Sequence, residues 1–166
     1  MNALLPAPVA SQAAALTLRA EPAARGYLSF RIDGEHYGVC ILHVQEIRRY
    51  ESPTRLPGTA THSLGVLDLR GEIVPVTDLR VRLGAPVGFD ATTVTIILSV
   101  AGRRHGLVVD AVADVHPLST ADIMPAPPLG GALDADCIDG ISALQDEAGE
   151  RLLVLLDAER LVARMH

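Results

Sequence analysis

Residues 67–80 read LDLRGEIVPVTDLR, and this stretch decides the fold. Leu67, Asp68 and Leu69 alternate apolar and polar, a turn-like Arg70-Gly71-Glu72 interrupts, and Ile73, Val74 and Val76 form a β-branched run. Alternation with a period of two marks a strand covered on one face. A glycine between two such runs supplies the positive φ of a tight turn. The stretch therefore predicts a hairpin: a strand over residues 65–69, a turn at Gly71-Glu72 and a second strand over 73–76. Pro75 has no N–H to give a ladder, which places its strand at an edge or a bulge. Thr77 or Asp78 then caps a short helix that Gly84 stops.

The same texture extends upstream. YLSFRID, residues 27–33, alternates Leu28, Phe30 and Ile32 against Tyr27, Ser29 and Arg31, the pattern of a half-buried strand. DGEH is a turn signal, and YGVCI resumes an extended run. ILHVQEI spaces Ile41, Val44 and Ile47 at i, i+3 and i+6, which predicts a short helical turn.

Downstream the pattern returns. With Gly34 set on Gly102, an offset of 68, Gly38 meets Gly106, Val44 meets Val112, Glu46 meets Asp114 and Ile47 meets Val115. The offset then grows: Gly65 answers to Gly140 and Asp78 to Asp157. Self-similarity at a fixed spacing signals a duplicated unit. Each copy offers about five short strands between turn signals, the signature of a small barrel or sandwich. One copy is too small to bury much surface alone, so the two should pack together.

Composition bounds the rest. The chain has 166 residues, 49% of them hydrophobic but only 3% aromatic, so its core must be aliphatic. Its net charge is −6, with 14 scattered arginines and no lysine, which argues against nucleic acid or anionic lipid as the main partner. No apolar run is long enough to cross a membrane. Residues 1–26, rich in Ala and Pro, are expected to be a mobile tail with a possible helical turn over 13–19, and are not read as a signal peptide. The domain then runs over 27–166, with halves near 27–90 and 91–160 and a helix near 157–165.

The search for chemistry finds little. Six histidines lack metal-ligand spacing, and His36 and His105 fall near the two expected turns as turn residues. No serine sits in a nucleophile elbow, and a chain without lysine has no phosphate-binding lysine loop. DEAGE and DADCID lack the ligand pattern of a calcium loop. Cys40 and Cys137 read as reduced thiols. No metal, cofactor or catalytic residue is nominated. The features left are Glu46 between Val44 and Ile47, and Arg70 directly before a glycine. Arg70 is either a solvated turn residue or a fork that braces neighbouring loops.

FRIDGEHYGVCILHVQEIRRYESPTRLPG and GVLDLRGEIVPVTDLRVRLG resemble the CheW family of bacterial chemotaxis coupling proteins. GLVVDAVADVHPL, IMPAPP, GISAL and RLLVLLDAERLV continue the match, which covers about residues 27–162. The resemblance implies a mainly β fold of two five-stranded, SH3-like barrels related by a pseudo-twofold axis, with short helices. It implies a non-catalytic cytoplasmic adaptor recruited to membrane-associated receptor arrays. Its partners would be the signalling tips of methyl-accepting chemoreceptors and the regulatory domain of a CheA-type histidine kinase, with no nucleic acid and no membrane insertion. Carried onto matching positions, Val44, Glu46 and Ile47 would lie at an apolar receptor-facing groove between the barrels. Gly65, Arg70 and Gly71 would form the braced hairpin and its surroundings. The repeat adds Val112 and Val115 on the groove's other side. Three positions depart from the family's habit: Asp68 for an asparagine, Cys40 for an acidic residue and Leu64 for a basic one. They bear on which receptor, kinase or chemosensory pathway, flagellar or twitching, this copy serves. The rival reading from another class is a ligand-binding double barrel or enzyme, which a cavity with convergent polar groups would favour.

Overall fold

The computed structural model describes residues 24–58, 63–127 and 135–165. The expected tail over 1–26 lies almost wholly outside them, as do His62, His166 and part of the Pro/Gly-rich loop.

Among the described residues ten strands alternate with turns: β1 (Arg25–Ile32), β2 (Glu35–Cys40), β3 (Val44–Arg49), β4 (Ser63–Leu69), β5 (Glu72–Asp78), β6 (Val94–Val100), β7 (Arg103–Val109), β8 (Ala111–Leu118), β9 (Ile138–Asp146) and β10 (Gly149–Leu156). Two short helices, α1 (Leu79–Arg82) and α2 (Ala158–Ala163), each follow the last strand of a copy. The repeat is real at the level of pairing. One sheet runs β8-β1-β2-β10-β9 and the other β3-β6-β7-β5-β4. Renumbering strands six to ten as one to five gives the order 3-1-2-5-4 in both.

The two sheets are not the two sequence halves, however. The expected division at 27–90 and 91–160 separates the copies, but each copy contributes to both sheets. The chain starts one sheet with β1 and β2, builds the whole second sheet, and returns at β8. Sequence offset reports duplication and is blind to this exchange, because β1 and β2 pair with strands more than 70 residues away.

Exchange explains where the core sits. The largest buried cluster joins Leu28, Phe30 and Ile32 of one sheet to Ile96, Leu98 and Leu107 of the other, closed by Leu161 and Val162 of α2. Each fully buried side chain of this size contributes roughly 1.5–3 kcal/mol. Smaller clusters lie inside each sheet, around Val74 and Val76 in one and Leu153 and Leu155 in the other. β1 is therefore covered on both faces, not one: Tyr27 and Leu28 are both buried, in different clusters. The seam between the sheets is thus filled at its centre by the protein's own side chains.

Three expectations need correction. Residues 44–49 are a strand; only Ile41–His43 make a single 3-10 turn. Pro75 lies in a strand between two neighbours, but one residue before the ladder to β7 begins at Val76, so no bond to β7 is lost. His105 is no turn residue; it is buried in β7, its Nε2 2.8 Å from the Thr77 hydroxyl.

Candidate functional site

The strand β3 carries Val44, Glu46 and Ile47. In a regular strand, Val44 and Ile47 would face opposite ways. Val44 pairs with Leu98, Glu46 with Ile97 and Ile47 with Ile96, so Gln45 is an extra residue, a β-bulge. Leu98 and Ile96 both face the seam, so their partners Val44 and Ile47 share that side while Glu46 takes the other. The i, i+3 spacing read as helical was a same-face signal, produced by a bulge instead. Val44 is half-buried against the seam core, and Ile47 is 43% exposed.

β8 repeats the device. Val115 pairs with Leu28 and Val112 with Phe30, three residues against two, so β8 is bulged at the matching place. Val112 and Val115 both pack against the seam core. The structure therefore brings Val44, Val112 and Val115 to one core, from the outermost strands of different sheets.

The hairpin turn completes the site. Arg70 and Gly71 both have positive φ, 54° and 87°, which is the type I′ geometry of a two-residue hairpin loop. Asp68 Oδ1 accepts the Gly71 N–H at 2.9 Å, so this carboxylate fastens its own turn. The turn aims Arg70 at β3, where its Nη1 donates to Glu46 Oε1 at 3.2 Å. Arg48 Nη1 donates to Glu46 Oε2 at 3.2 Å, and Arg48 Nη2 to Glu51 Oε1 at 3.0 Å. The Arg48 hydrogen bond, reinforced by Arg70 against the smaller push of burial, holds the Glu46 carboxyl below its ordinary range. Arg70 is thus a brace between the hairpin and β3, but its side chain stays 70% exposed. Exposed pairs of this kind add at most about 1 kcal/mol.

Gly65 is remote from the turn and acts differently. Residue 54 bridges to β4 beside it, with Thr54 N donating to Val66 O at 2.9 Å and Val66 N to Thr54 O at 2.8 Å. A Cβ on Gly65, whose φ is 130°, would stand 1.9 Å from Thr54 O. The second copy has the same arrangement: Met124 bridges to Ile141 beside Gly140, whose Cβ would stand 2.7 Å from Met124 O.

Reasoning from sequence missed Arg48, which completes the carboxylate clamp; the period-two spacing from Glu46 was the available signal. It also missed Arg80. Arg80 is fully buried, its Nε and Nη2 each 2.9 Å from a different oxygen of buried Asp78, with Phe89 against its guanidinium. Burial opposes its charge, but the bonds to Asp78 and Asp110 outweigh that and leave its pKa raised. Asp78 is also the cap of α1, accepting the Arg80 N–H at 3.0 Å, which settles the choice between Thr77 and Asp78.

An open cavity of about 480 Å³ lies nearby, lined among others by Arg31, Phe89, Asp90, Thr92 and Asp110. Its acidic groups are engaged with their own neighbours: Asp90 takes the Thr92 hydroxyl at 2.7 Å, which lowers its pKa, and Asp110 takes Arg80. Among the described residues no group of His, Cys, Asp or Glu is arranged to hold a metal ion, and no helix is long and apolar enough to cross a membrane.

A duplicated pair of five-stranded sheets, with an apolar strand edge beside a braced hairpin, defines a β scaffold that presents surfaces. The comparisons give that class a family. The model of the CheW-like domain matches residues 26–165, and the chain belongs to the CheW family. It is 42% identical over 147 residues to a chemotaxis protein CheW of Klebsiella aerogenes, covering 88% of this chain and 86% of that one. It is 34% identical to a probable chemotaxis protein CheW of Rhizobium etli, covering 82% and 86%. Its fold matches the crystal structure of the scaffolding protein TtCheW from Thermoanaerobacter tengcongensis with a TM-score of 0.74 and 31% identity, covering 82% and 91%. Proteins of this family are chemotaxis scaffolds and carry out no catalysis.

Proposed function

We propose that this protein couples the cytoplasmic tips of methyl-accepting chemoreceptors to the regulatory domain of a CheA-type histidine kinase. The receptor-facing surface is the margin of the seam, since the seam's centre is occupied by the core. Val44, Glu46 and Ile47 form one lip on β3, stiffened by Arg70 and Gly71 in the turn, while Gly65 admits the Thr54 bridge to β4. Val112 and Val115 form the other lip on β8. The observation that carries this reading is the bulge of β3, which turns exposed Ile47 to the same side as half-buried Val44 beside a carboxylate held by two arginines. An apolar strip with a fixed charge at its border suits one face of an amphipathic helical hairpin. Affinity at so small a surface gains from repetition across an array.

The test is capture by a receptor signalling-tip fragment. Val44→Asp would also disturb the core against which Val44 packs, so Ile47→Asp is the cleaner change. Ile47→Asp is expected to lower capture at least about tenfold, the scale of a charge set in an apolar contact, with an unchanged circular dichroism spectrum. Undiminished capture would remove β3 from the receptor surface.

A further inference from the structure

The chain crosses the seam from sheet to sheet at two places. The first is Ile41–His43, between β2 and β3; the second is Asp110, between β7 and β8. They are related by the repeat, at the same offset of 68 that sets Gly34 on Gly102, yet they are built in opposite ways.

At the second crossing every polar group of one residue is used. Asp110 Oδ1 accepts from Arg80 Nη1 at 3.1 Å, on the side of the sheet that contains β5. Its Oδ2 accepts the Asp33 N–H at 2.8 Å, in the β1–β2 turn of the other sheet. Its own N–H donates to Arg31 O at 3.1 Å, and its carbonyl accepts the Thr92 hydroxyl at 3.0 Å. Arg80 in turn is fixed by buried Asp78 and by the carbonyl of Gly88 at 2.5 Å. One carboxylate thus holds both sheets, and the cation behind it has no exposed surface through which to relax. Charge-assisted bonds are stronger than neutral ones, and here the Arg80 end is desolvated while the Asp110 side chain is 36% exposed.

At the first crossing a 3-10 turn has no buried residue and no side-chain cap, and Leu42 is 78% exposed. It leads directly into the bulge of β3, an outermost strand. Segments with little burial and few fixed polar groups open at low free-energy cost.

We infer that the Asp110 crossing is a fixed pivot and the Ile41–His43 crossing a moving end, so that a partner on β3 is registered as a shift of residues 41–45 about an anchored seam. This rests on the proposed receptor surface for its partner, but the pivot itself is testable on the free protein.

The experiment is amide hydrogen exchange on the full chain, resolved by residue. Two amides are directly comparable: Val44 N–H, bonded to Ile41 O, and Asp110 N–H, bonded to Arg31 O. In the free protein the Asp110 amide is expected to be protected at least about tenfold more than the Val44 amide. Asp110→Asn should erase most of that difference while leaving the Val44 amide as it was. Thr92→Val, which removes the hydroxyl's bonds to the Asp110 carbonyl and to Asp90 but leaves the Asp110 carboxylate in place, supplies the same comparison should Asp110→Asn fold poorly. Addition of the receptor signalling-tip fragment should slow Val44 and leave Asp110 unchanged. Equal protection of the two amides in the free protein, or a variant that loosens both alike, overturns the inference. Absence of any response to the fragment, with the free-protein difference intact, counts instead against the receptor surface.

Discussion

β3 and β8 hold the same place in the two copies of the repeat and share a bulge, but they are put to different use. In β8, Val112 and Val115 both pack on the seam core, and Asp114 at the Glu46 position is exposed. Under it, the Ser29 hydroxyl bonds the Asp114 backbone and His116, each at 3.1 Å. In β3, Val44 packs on the core but Ile47 stays half out, and Glu46 is clamped by Arg48 and Arg70. The two copies therefore share a bulged backbone, but β8 packs both of its valines on the core, whereas β3 leaves Ile47 43% exposed and carries a carboxylate clamped on its other side. The two crossings differ in the same sense, and the two helix caps in the opposite one, since the buried pair belongs to the first copy.

The caps offer the strongest way to sharpen the comparison. Asp78 and Asp157 cap α1 and α2, but Asp78 is fully buried with Arg80, whereas Arg160 beside Asp157 is 61% exposed. Arg80→Met should cost about 3–5 kcal/mol, because Asp78 would be left as an uncompensated buried charge. Arg160→Met should stay within about 0.5 kcal/mol. Urea denaturation of both variants measures the contrast, and equal losses would mean that the two caps are equivalent after all.

Next come the bridge glycines. Gly65→Ala should cost about 3 kcal/mol, since the new methyl meets a backbone oxygen at a left-handed φ. Gly140→Ala should cost roughly half that, because its nearest contact is the movable Ile123 side chain and Met124 O stands farther off. Thermal melts of the pair order them, and a reversed order would break the account of the Thr54 bridge.

The clamp on β3 comes third. Arg70→Ala should change stability by less than about 1 kcal/mol and reduce partner capture by more than that implies. A large drop in melting temperature would make Arg70 a structural brace only. Glu46 adds a pH signature. Its folded pKa lies below the ordinary 4.5, so its contribution is complete above that value and is lost as pH falls through the lowered one. The stability gap between the protein and Glu46→Gln should therefore narrow from about pH 6 to about pH 3. A gap that persists at acid pH would sever Glu46 from its arginines.

Much of this was legible in the sequence, and the rest was hidden for identifiable reasons. The hairpin at residues 63–78 stood out because alternation, glycine and an acidic cap are all local. The repeat was visible because offsets need no three-dimensional knowledge. Strand exchange was not, since β1 finds β8 and β2 finds β10 through pairing that leaves no mark on spacing. The bulge at Gln45 imitated a helical period, and the fork of Arg80 lay within a segment read only as a capped helix. The resemblance brought Val44, Glu46, Ile47 and Arg70 together as neighbours, but the partner of Arg70 needed coordinates.

The most direct test of the central claim is a titration of isotope-labelled protein with a receptor signalling-tip fragment, followed by amide chemical shifts. The account predicts the largest changes at residues 44–49 and at Arg70 and Gly71, smaller ones at Val112 and Val115, and none in α2. Changes concentrated in the β9–β10 hairpin, with β3 silent, would contradict it.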